Sequence, residues 1–375
     1  MRTGLLCAAY PPSVDGIGDY THLLAQHLNR QSEVEVYTGF QNSYTPAEGV
    51  SVSGIFDPSR PATIRNLGKA LGEKPPIDRL IVQYNPFGFG PRGFNPWLPM
   101  TLARLRGRLS LSVMFHETYV PCGTAAQCGM RIWQIPQFYF MSRIADSTYA
   151  SCSRWLPAIR RATGREAVQL PVGSNVVRSK LSREEARARL EIGSKALVLG
   201  VFGSAHPSRL LDWIAQASSR LQSRVPEVLI VYVGADGEKL RAAAGDGVRL
   251  LDCGLLPAGS VGDHLMAADV LLAPFVDGLS TRRGSVAAAF QHGIPVLSTS
   301  SVWTDAMLLG QEERLIFLSP VDSGAMAYCD LAERLSARLP AADSQRTLLR
   351  SYYEQHFGWE TVCRTLAGGV RAASR

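Results

Sequence analysis

Two doubly wound α/β domains, each a parallel sheet covered on both faces by helices, are the fold class predicted here. Three observations predict it. Short, nearly continuous apolar runs alternate with helix-period stretches, the signature of strands buried on both faces. The alternation restarts once, within a polar, charged stretch at 173–195. The length of 375 residues, with 46% hydrophobic and 19% charged, suits two cores rather than one or a disordered chain.

Taken in order, the strand candidates are Arg2–Ala9, Val34–Thr38, Arg79–Gln83 and Leu111–Phe115, then Ala196–Phe202, Val228–Val233, Val248–Leu251, Val270–Pro274 and Pro295–Ser298. Helix-period segments include Tyr20–Leu28, Leu210–Leu221 and Ala325–Leu339, and a final helical pattern runs over Tyr352–Ala373. Right-handed crossovers between such strands give Rossmann-like units. In the polar stretch, Ser182 followed by Glu184 and Glu185 predicts a helix start. The domains expected are 1–175 with a C-terminal crossover helix 356–375, and 176–355.

No apolar run reaches the ~18 residues that span a bilayer, and the first residues lack the length and cleavage region of a signal peptide. A soluble, cytoplasmic protein is expected, with contact at the inner face of a membrane left open. Seven scattered cysteines form no zinc-spaced cluster, so free thiols are expected; Cys122 and Cys128 flank a small-residue loop and could pair, with a reduced pair the favoured reading. The net charge of +7 fits an anionic nucleotide or an anionic surface, and no nucleic-acid motif accompanies it.

Four segments carry candidate chemistry. After the first strand, Pro11 and Pro12 predict an extended exit, and Gly16 and Gly18 allow close backbone approach before a helix whose N-terminal N–H groups suit an anion. A plain turn and cap explains these residues equally. His116 and Glu117 follow the fourth apolar strand, at the carboxyl end where open α/β sheets bind ligands; a histidine satisfying a strand-end carbonyl is the other reading. Ser204, His206 and Arg209 lie in a Gly-containing loop before a helix expected near Pro207. Arg282, Arg283, Gly284 and Ser285 open an Ala-rich helix that ends at His292-Gly293, combining cations, backbone N–H groups and a hydroxyl in one phosphate site. The aromatic segment 131–142 reads as a core helix, or else as a membrane-touching one. The Gly/Pro/aromatic stretch 83–97 reads as a long mobile loop, either structural or a binding lid.

In order along the chain these segments resemble glycosyltransferase family 4. The loop YPPSVDGIGDY resembles that family's N-terminal glycine loop, with Asp15-Gly16 in place of Gly-Gly. His116 matches its strand-end histidine, and Glu117 falls where an Asp is frequent. Arg209 sits where a phosphate-binding Lys is found, and Ser204 replaces an Arg. Aligned on Gly293 and Pro295, the paired donor-binding glutamates fall at Ser280 and Ala288, so the resemblance is to a divergent branch. The backbone of 254–256 falls at the base pocket, and HFGWETVCRTL resembles the crossover helix.

The resemblance implies the GT-B fold, two Rossmann-like domains facing a cleft, the first binding acceptor and the second a nucleotide-sugar donor. It implies a hexosyltransferase acting with retention, without a cofactor or required metal, on a hydroxyl acceptor of unknown kind. His116 and Glu117 would be catalytic. Gly16, Ser204, Arg209, Asp277, Ser280, Arg282, Arg283, Gly284 and Ser285 would bind donor, with Arg283 and Ser285 supplying phosphate grip and Asp277 or Ser280 facing the sugar. Asp15 and Tyr20 would meet the acceptor. The missing glutamates leave open a non-catalytic nucleotide-sugar-binding subunit, and the fold leaves open a nucleotide-sugar epimerase.

Overall fold

A computed structural model describes residues 1–245 and 247–373. It divides into two compact units, Met1–Pro171 with Trp359–Arg375, and Val172–Gly358. The first holds strands β1 (Arg2–Leu6), β2 (Glu33–Gly39), β3 (Ser51–Phe56), β4 (Arg79–Tyr84), β5 (Ser110–Phe115), β6 (Ser147–Ala150) and β7 (Val168–Gln169). The second holds β8 (Leu197–Phe202), β9 (Val228–Val233), β10 (Arg249–Asp252), β11 (Val270–Ala273), β12 (Val296–Ser300) and β13 (Ile316–Pro320). Every strand pairing within the two sheets is parallel. The strand orders are β3-β2-β1-β4-β5-β6-β7 and β10-β9-β8-β11-β12-β13.

Both orders contain one reversal. In the first unit the chain winds outward from β1 and returns at β4; in the second it winds out from β8 and returns at β11. Loops leaving adjacent strands then diverge to opposite sheet faces, which opens a crevice at the carboxyl ends of each pair. Central strands are fully buried, β4 and β9 at every residue, so their apolar runs carry no alternation.

The C-terminal helix Trp359–Ala373 belongs to the first unit by its contacts. Trp359 packs between Tyr20 and His27, and the Leu366 carbonyl accepts from the buried Arg79 guanidinium at 2.7 Å. The single helical pattern expected over Tyr352–Ala373 is two helices, Asp343–His356 and Trp359–Ala373, broken at Phe357-Gly358. Gly358 has no room for a Cβ beside the Glu354 carbonyl, 2.8 Å away.

Three further expectations are corrected. Cys122 and Cys128 form a disulfide rather than two free thiols, their Cα atoms 4.7 Å apart across a short loop. The stretch 83–97 is not a mobile loop: it folds into a helical turn at Pro86–Phe89 and a 3-10 turn at Pro91–Gly93. The 20-residue helix Ala125–Ile144 pins it, with Gln137 bonded to Asn95 N–H and the Gly93 carbonyl and Gln134 bonded to the Arg92 carbonyl. The helix expected near Pro207 starts at Leu211, because Ser208 and Arg209 instead bridge to the strand-end residues 274–276. Among the described residues no helix is long and apolar enough to cross a membrane.

Candidate functional site

In the first unit the chain turns after β1, Ser13 N–H donating to the Tyr10 carbonyl, so the exit from β1 is not extended. Asp15 then caps the helix Gly16–Leu28: one carboxylate oxygen accepts from Ile17 N–H at 3.0 Å and Gly18 N–H at 2.7 Å. A bound anion at this helix start would have to compete with that internal carboxylate, so the positive end is already served. Gly18 is the glycine the packing requires, since a Cβ there would lie 2.9 Å from the Ala9 carbonyl oxygen, whereas Gly16 faces open space. Tyr20 is a core residue, 1% exposed and wedged against His116 and Trp359; burial removes it from contact with an acceptor.

His116 leaves β5 beside β4 and is buried. Its Nε2 lies 2.8 Å from Gln83 Oε1, and its backbone takes up the Tyr84 carbonyl and the Ser151 hydroxyl. Burial pushes the imidazole pKa down to about 3, so the ring is neutral at physiological pH. A neutral ring facing an amide oxygen donates from Nε2, which leaves Nδ1 as the acceptor. Glu117 follows, half-buried.

This burial has a testable consequence. The unfolded chain binds a proton at a histidine of ordinary pKa, 6.5, whereas folded His116 does not until about 3. Between those values the unfolded state holds more protons, so stability falls on acidification, by about 1.4 kcal/mol per pH unit for this group, and is level above the upper one. His116→Asn is expected to lose about 2 kcal/mol less than the parent between pH 6.5 and 5, read by urea unfolding at each pH. Equal losses in both proteins would show that His116 is not the buried proton acceptor.

The second unit gathers most of the predicted donor residues at the β8–β11 reversal. Gly203 leaves β8 at φ 103°, and a side chain there would press on the Arg209 guanidinium. Arg209 is 7% exposed. One terminal nitrogen donates to the Phe202 carbonyl at 2.7 Å, while Nε and Nη1 are buried with no hydrogen-bond partner among the described residues. Burial, reinforced by the nearby Arg283, lowers its pKa to about 10, and it remains charged. The exit loops of β8 and β11 are zipped together by Leu210 N–H to the Pro274 carbonyl and Val276 N–H to the Ser208 carbonyl. Phe275 lies beneath two cations, 5.2 Å from Arg209 and 4.0 Å from Arg283.

Arg283 is the N-cap residue of the helix Gly284–His292, with Gly284 and Ser285 as its first two residues, both half-buried. The placement of Asp277 differs from the expected sugar-facing one. Its carboxylate bridges both arginines, 2.6 Å to Arg282 and 2.6 Å to Arg283. Burial works to raise this carboxyl, and the two guanidiniums more than offset it, holding it below the ordinary carboxylate range. Ser280 is 6% exposed, its hydroxyl without a hydrogen-bond partner among the described residues, and Ala288 is fully buried in the core. A glutamate at Ala288 would carry a charge into that core, so its absence matches its surroundings. Ser204 is exposed on the loop after Gly203. The expected base-pocket residues are placed with Gly254 in the left-handed region, its carbonyl accepting from Gly234 N–H, and Leu255 exposed.

Sequence reading missed what holds this loop in place. Asp305 is fully buried and accepts from the Thr281 N–H at 2.7 Å and its hydroxyl at 3.1 Å. Thr299 Oγ1 accepts from Phe275 N–H and donates to the Phe275 carbonyl. These partners are 24 positions apart, so no local pattern could pair them.

The sequence matches no known family description and no curated protein. Solved structures do match. Sucrose-phosphate synthase from Thermosynechococcus elongatus superposes with a TM-score of 0.76 at 15% identity, over 99% of this chain and 98% of that one. Anabaena HepE, solved in complex with UDP and glucose, gives 0.69 at 14% identity over 99% of each chain. WaaG, a glycosyltransferase involved in lipopolysaccharide biosynthesis, gives 0.68 at 16% identity over 97% of this chain and 98% of its own. This chain therefore has the GT-B fold, the two parallel-sheet domains that these glycosyltransferases share.

Proposed function

We propose that the protein is a glycosyltransferase that moves a hexose from a nucleotide-diphosphate sugar, held by the second unit, to an acceptor hydroxyl, held by the first. One observation carries the reading. Arg209 is a buried cation with two nitrogens, Nε and Nη1, that have no hydrogen-bond partner among the described residues, at the carboxyl end of β8 and close to Arg283 and Phe275. Leaving such groups unmade costs about 1–3 kcal/mol each, and a diphosphate supplies the missing acceptors. Arg282, Arg283 and the start of the helix Gly284–His292 add further donors. The fold of HepE, a protein solved with UDP and glucose, supports a donor of this class.

In this reading the guanidiniums stabilise charge that builds on the departing diphosphate, the electrostatic term that dominates such transfers. A neutral His116, with Glu117 beside it, offers hydrogen bonds to the transferred sugar rather than a proton. The donor phosphate takes the acceptor proton, and the sugar is transferred with retention and without a metal. A mass-spectrometric glycosyl-enzyme adduct during turnover would contradict that last step.

The test is a panel of nucleotide-diphosphate sugars, UDP-sugars first, screened by thermal shift and then for release of free sugar. One donor is expected to raise Tm by several degrees and to turn over. No stabilisation at saturating donor would overturn the assignment, and tight binding without turnover would mark a non-catalytic binder. With that nucleotide in hand, Asp277→Asn removes the counter-charge from Arg282 and Arg283. One unit charge at this range is worth about 1 kcal/mol, so the nucleoside diphosphate is expected to bind about fivefold tighter by calorimetry. Weaker binding would show that Asp277 positions the arginines instead of competing for them.

A further inference from the structure

A second basic cavity lies in the same unit, remote from the Arg209 loop. It has a volume of about 580 Å³ and is lined by Arg178, Ser179, Lys180, Leu181, Met266, His292 and Arg350. Three of these seven are cations and none is a carboxylate. The helix Gly284–His292 joins the two places: its first residue adjoins Arg283 and its last lines this cavity, a rise of roughly 13 Å along nine residues.

The wall carrying Arg178 and Lys180 is fixed. Between them, Ser179 donates its N–H to His292 Nε2 at 3.0 Å, and its hydroxyl donates to Asp263. His292 Nδ1 in turn lies 2.7 Å from the Ala288 carbonyl, so the neutral ring uses both nitrogens to clamp the segment onto the helix end. Arg178 and Lys180 are exposed on either side of this anchor. Arg350, half-buried, hydrogen-bonds only to the Thr347 hydroxyl among the described residues and is repelled by Arg178.

The nearby acids are shared with or taken by groups outside the cavity. Asp263 takes Ser179 and Arg189, and Asp269 takes Arg183 and Arg187. Asp343 supports both Arg350 and Arg346, so it does not serve the cavity alone. Two helices end at the cavity, at Met266 and His292, and each carboxyl end contributes roughly half a negative charge. Together they offset about one of the three cations. The cavity therefore keeps a net positive charge inside a pocket far larger than a single ion.

We propose that this cavity is a second anion site, built for the phosphate of a small phosphorylated molecule or of a lipid headgroup. Arg178 and Lys180 close on the phosphate from one wall and Arg350 from the other. Guanidinium supplies paired N–H donors and ammonium a point charge, the combination that phosphate recognition uses.

Inorganic pyrophosphate titrated into the full chain by calorimetry tests this. The parent is expected to show a binding event that Arg178→Gln/Lys180→Gln/Arg350→Gln weakens by at least about tenfold, whereas Arg209→Met leaves that event in place. Lys180→Glu alone, at an exposed position, is expected to weaken it about fivefold with an unchanged Tm, which separates lost binding from lost folding. Pyrophosphate isotherms that superimpose for parent, triple variant and Lys180→Glu would overturn the proposal. Phosphatidylcholine vesicles with and without phosphatidic acid separate the two sources. Capture of the parent, but not of the triple variant, by phosphatidic acid alone assigns the headgroup, and pyrophosphate binding without capture assigns the free phosphate.

Discussion

Arg209→Met is expected to weaken nucleoside diphosphate binding by about 100-fold while leaving Tm unchanged or higher. Arg209 is 7% exposed, makes one hydrogen bond to the Phe202 carbonyl, and leaves Nε and Nη1 unsatisfied. Losing that one bond costs about 1 kcal/mol, whereas each unmade buried N–H costs about 1–3 kcal/mol in the parent. Methionine keeps the apolar stem, and its sulfur packs well on the Phe275 ring. The apo protein therefore gains or breaks even. The liganded one loses two charge-assisted bonds of about 1.5 kcal/mol each, which is the 100-fold. Melting curves with and without nucleotide, together with calorimetry, read both halves. A variant that melts much lower but binds normally would show Arg209 to be a structural residue and would remove the observation on which the proposed function stands.

How much of this was legible in the sequence divides along the same physical line. The buried central strands announce themselves because both faces must be apolar, and β1, β4, β5, β8, β9, β11 and β12 all appear as such runs. The edge strand β3 is half-solvated and serine-rich, β6 reads Ser-Thr-Tyr-Ala without an aliphatic run, and β7 has only two residues, so none produces a recognisable run. At the site, the helix start at Gly284 was legible because cations, glycine and hydroxyl are adjacent in sequence. What the charges do was not. Asp277 pairs with arginines five and six positions on, around a turn whose geometry no periodicity fixes. Asp15 fits a ligand contact in the sequence and is a helix cap in the structure, since a carboxylate before a glycine suits both equally. Tyr20 falls on the buried face of its helix, and one side of that contact, Trp359, comes from the far end of the chain.

The opposite ends of the strands carry the stability that the site gives up, and Asp269→Ala is expected to lose about 3–5 kcal/mol. Asp269, just before β11, is 3% exposed. Its carboxylate accepts from Arg183 at 2.6 Å, from Arg187 at 2.6 Å and from the Val198 N–H at 2.8 Å, tying β11 to β8 at their amino ends. Arg187 is itself 4% exposed, with its remaining donors on the carbonyls of Ala267, Ser194 and Ala196. Alanine would leave that guanidinium charged in the interior and strip an acceptor from a buried backbone N–H, and neither loss can be repaired by water. For a unit of this size, about 1 kcal/mol shifts Tm by ~2–4 °C, so a fall of about 10 °C is expected by calorimetry. Affinity of the folded fraction for nucleotide should stay as in the parent, because Asp269 sits at the far end of β11 from Phe275 and Arg283. Arg209→Met and Asp269→Ala are thus opposite experiments on one sheet, the first removing a ligand's partner at little structural cost and the second removing structure while sparing the ligand. A fall in both stability and affinity for Asp269→Ala would mean that the β8–β11 spacing at the amino ends is transmitted to the loops that carry Arg209.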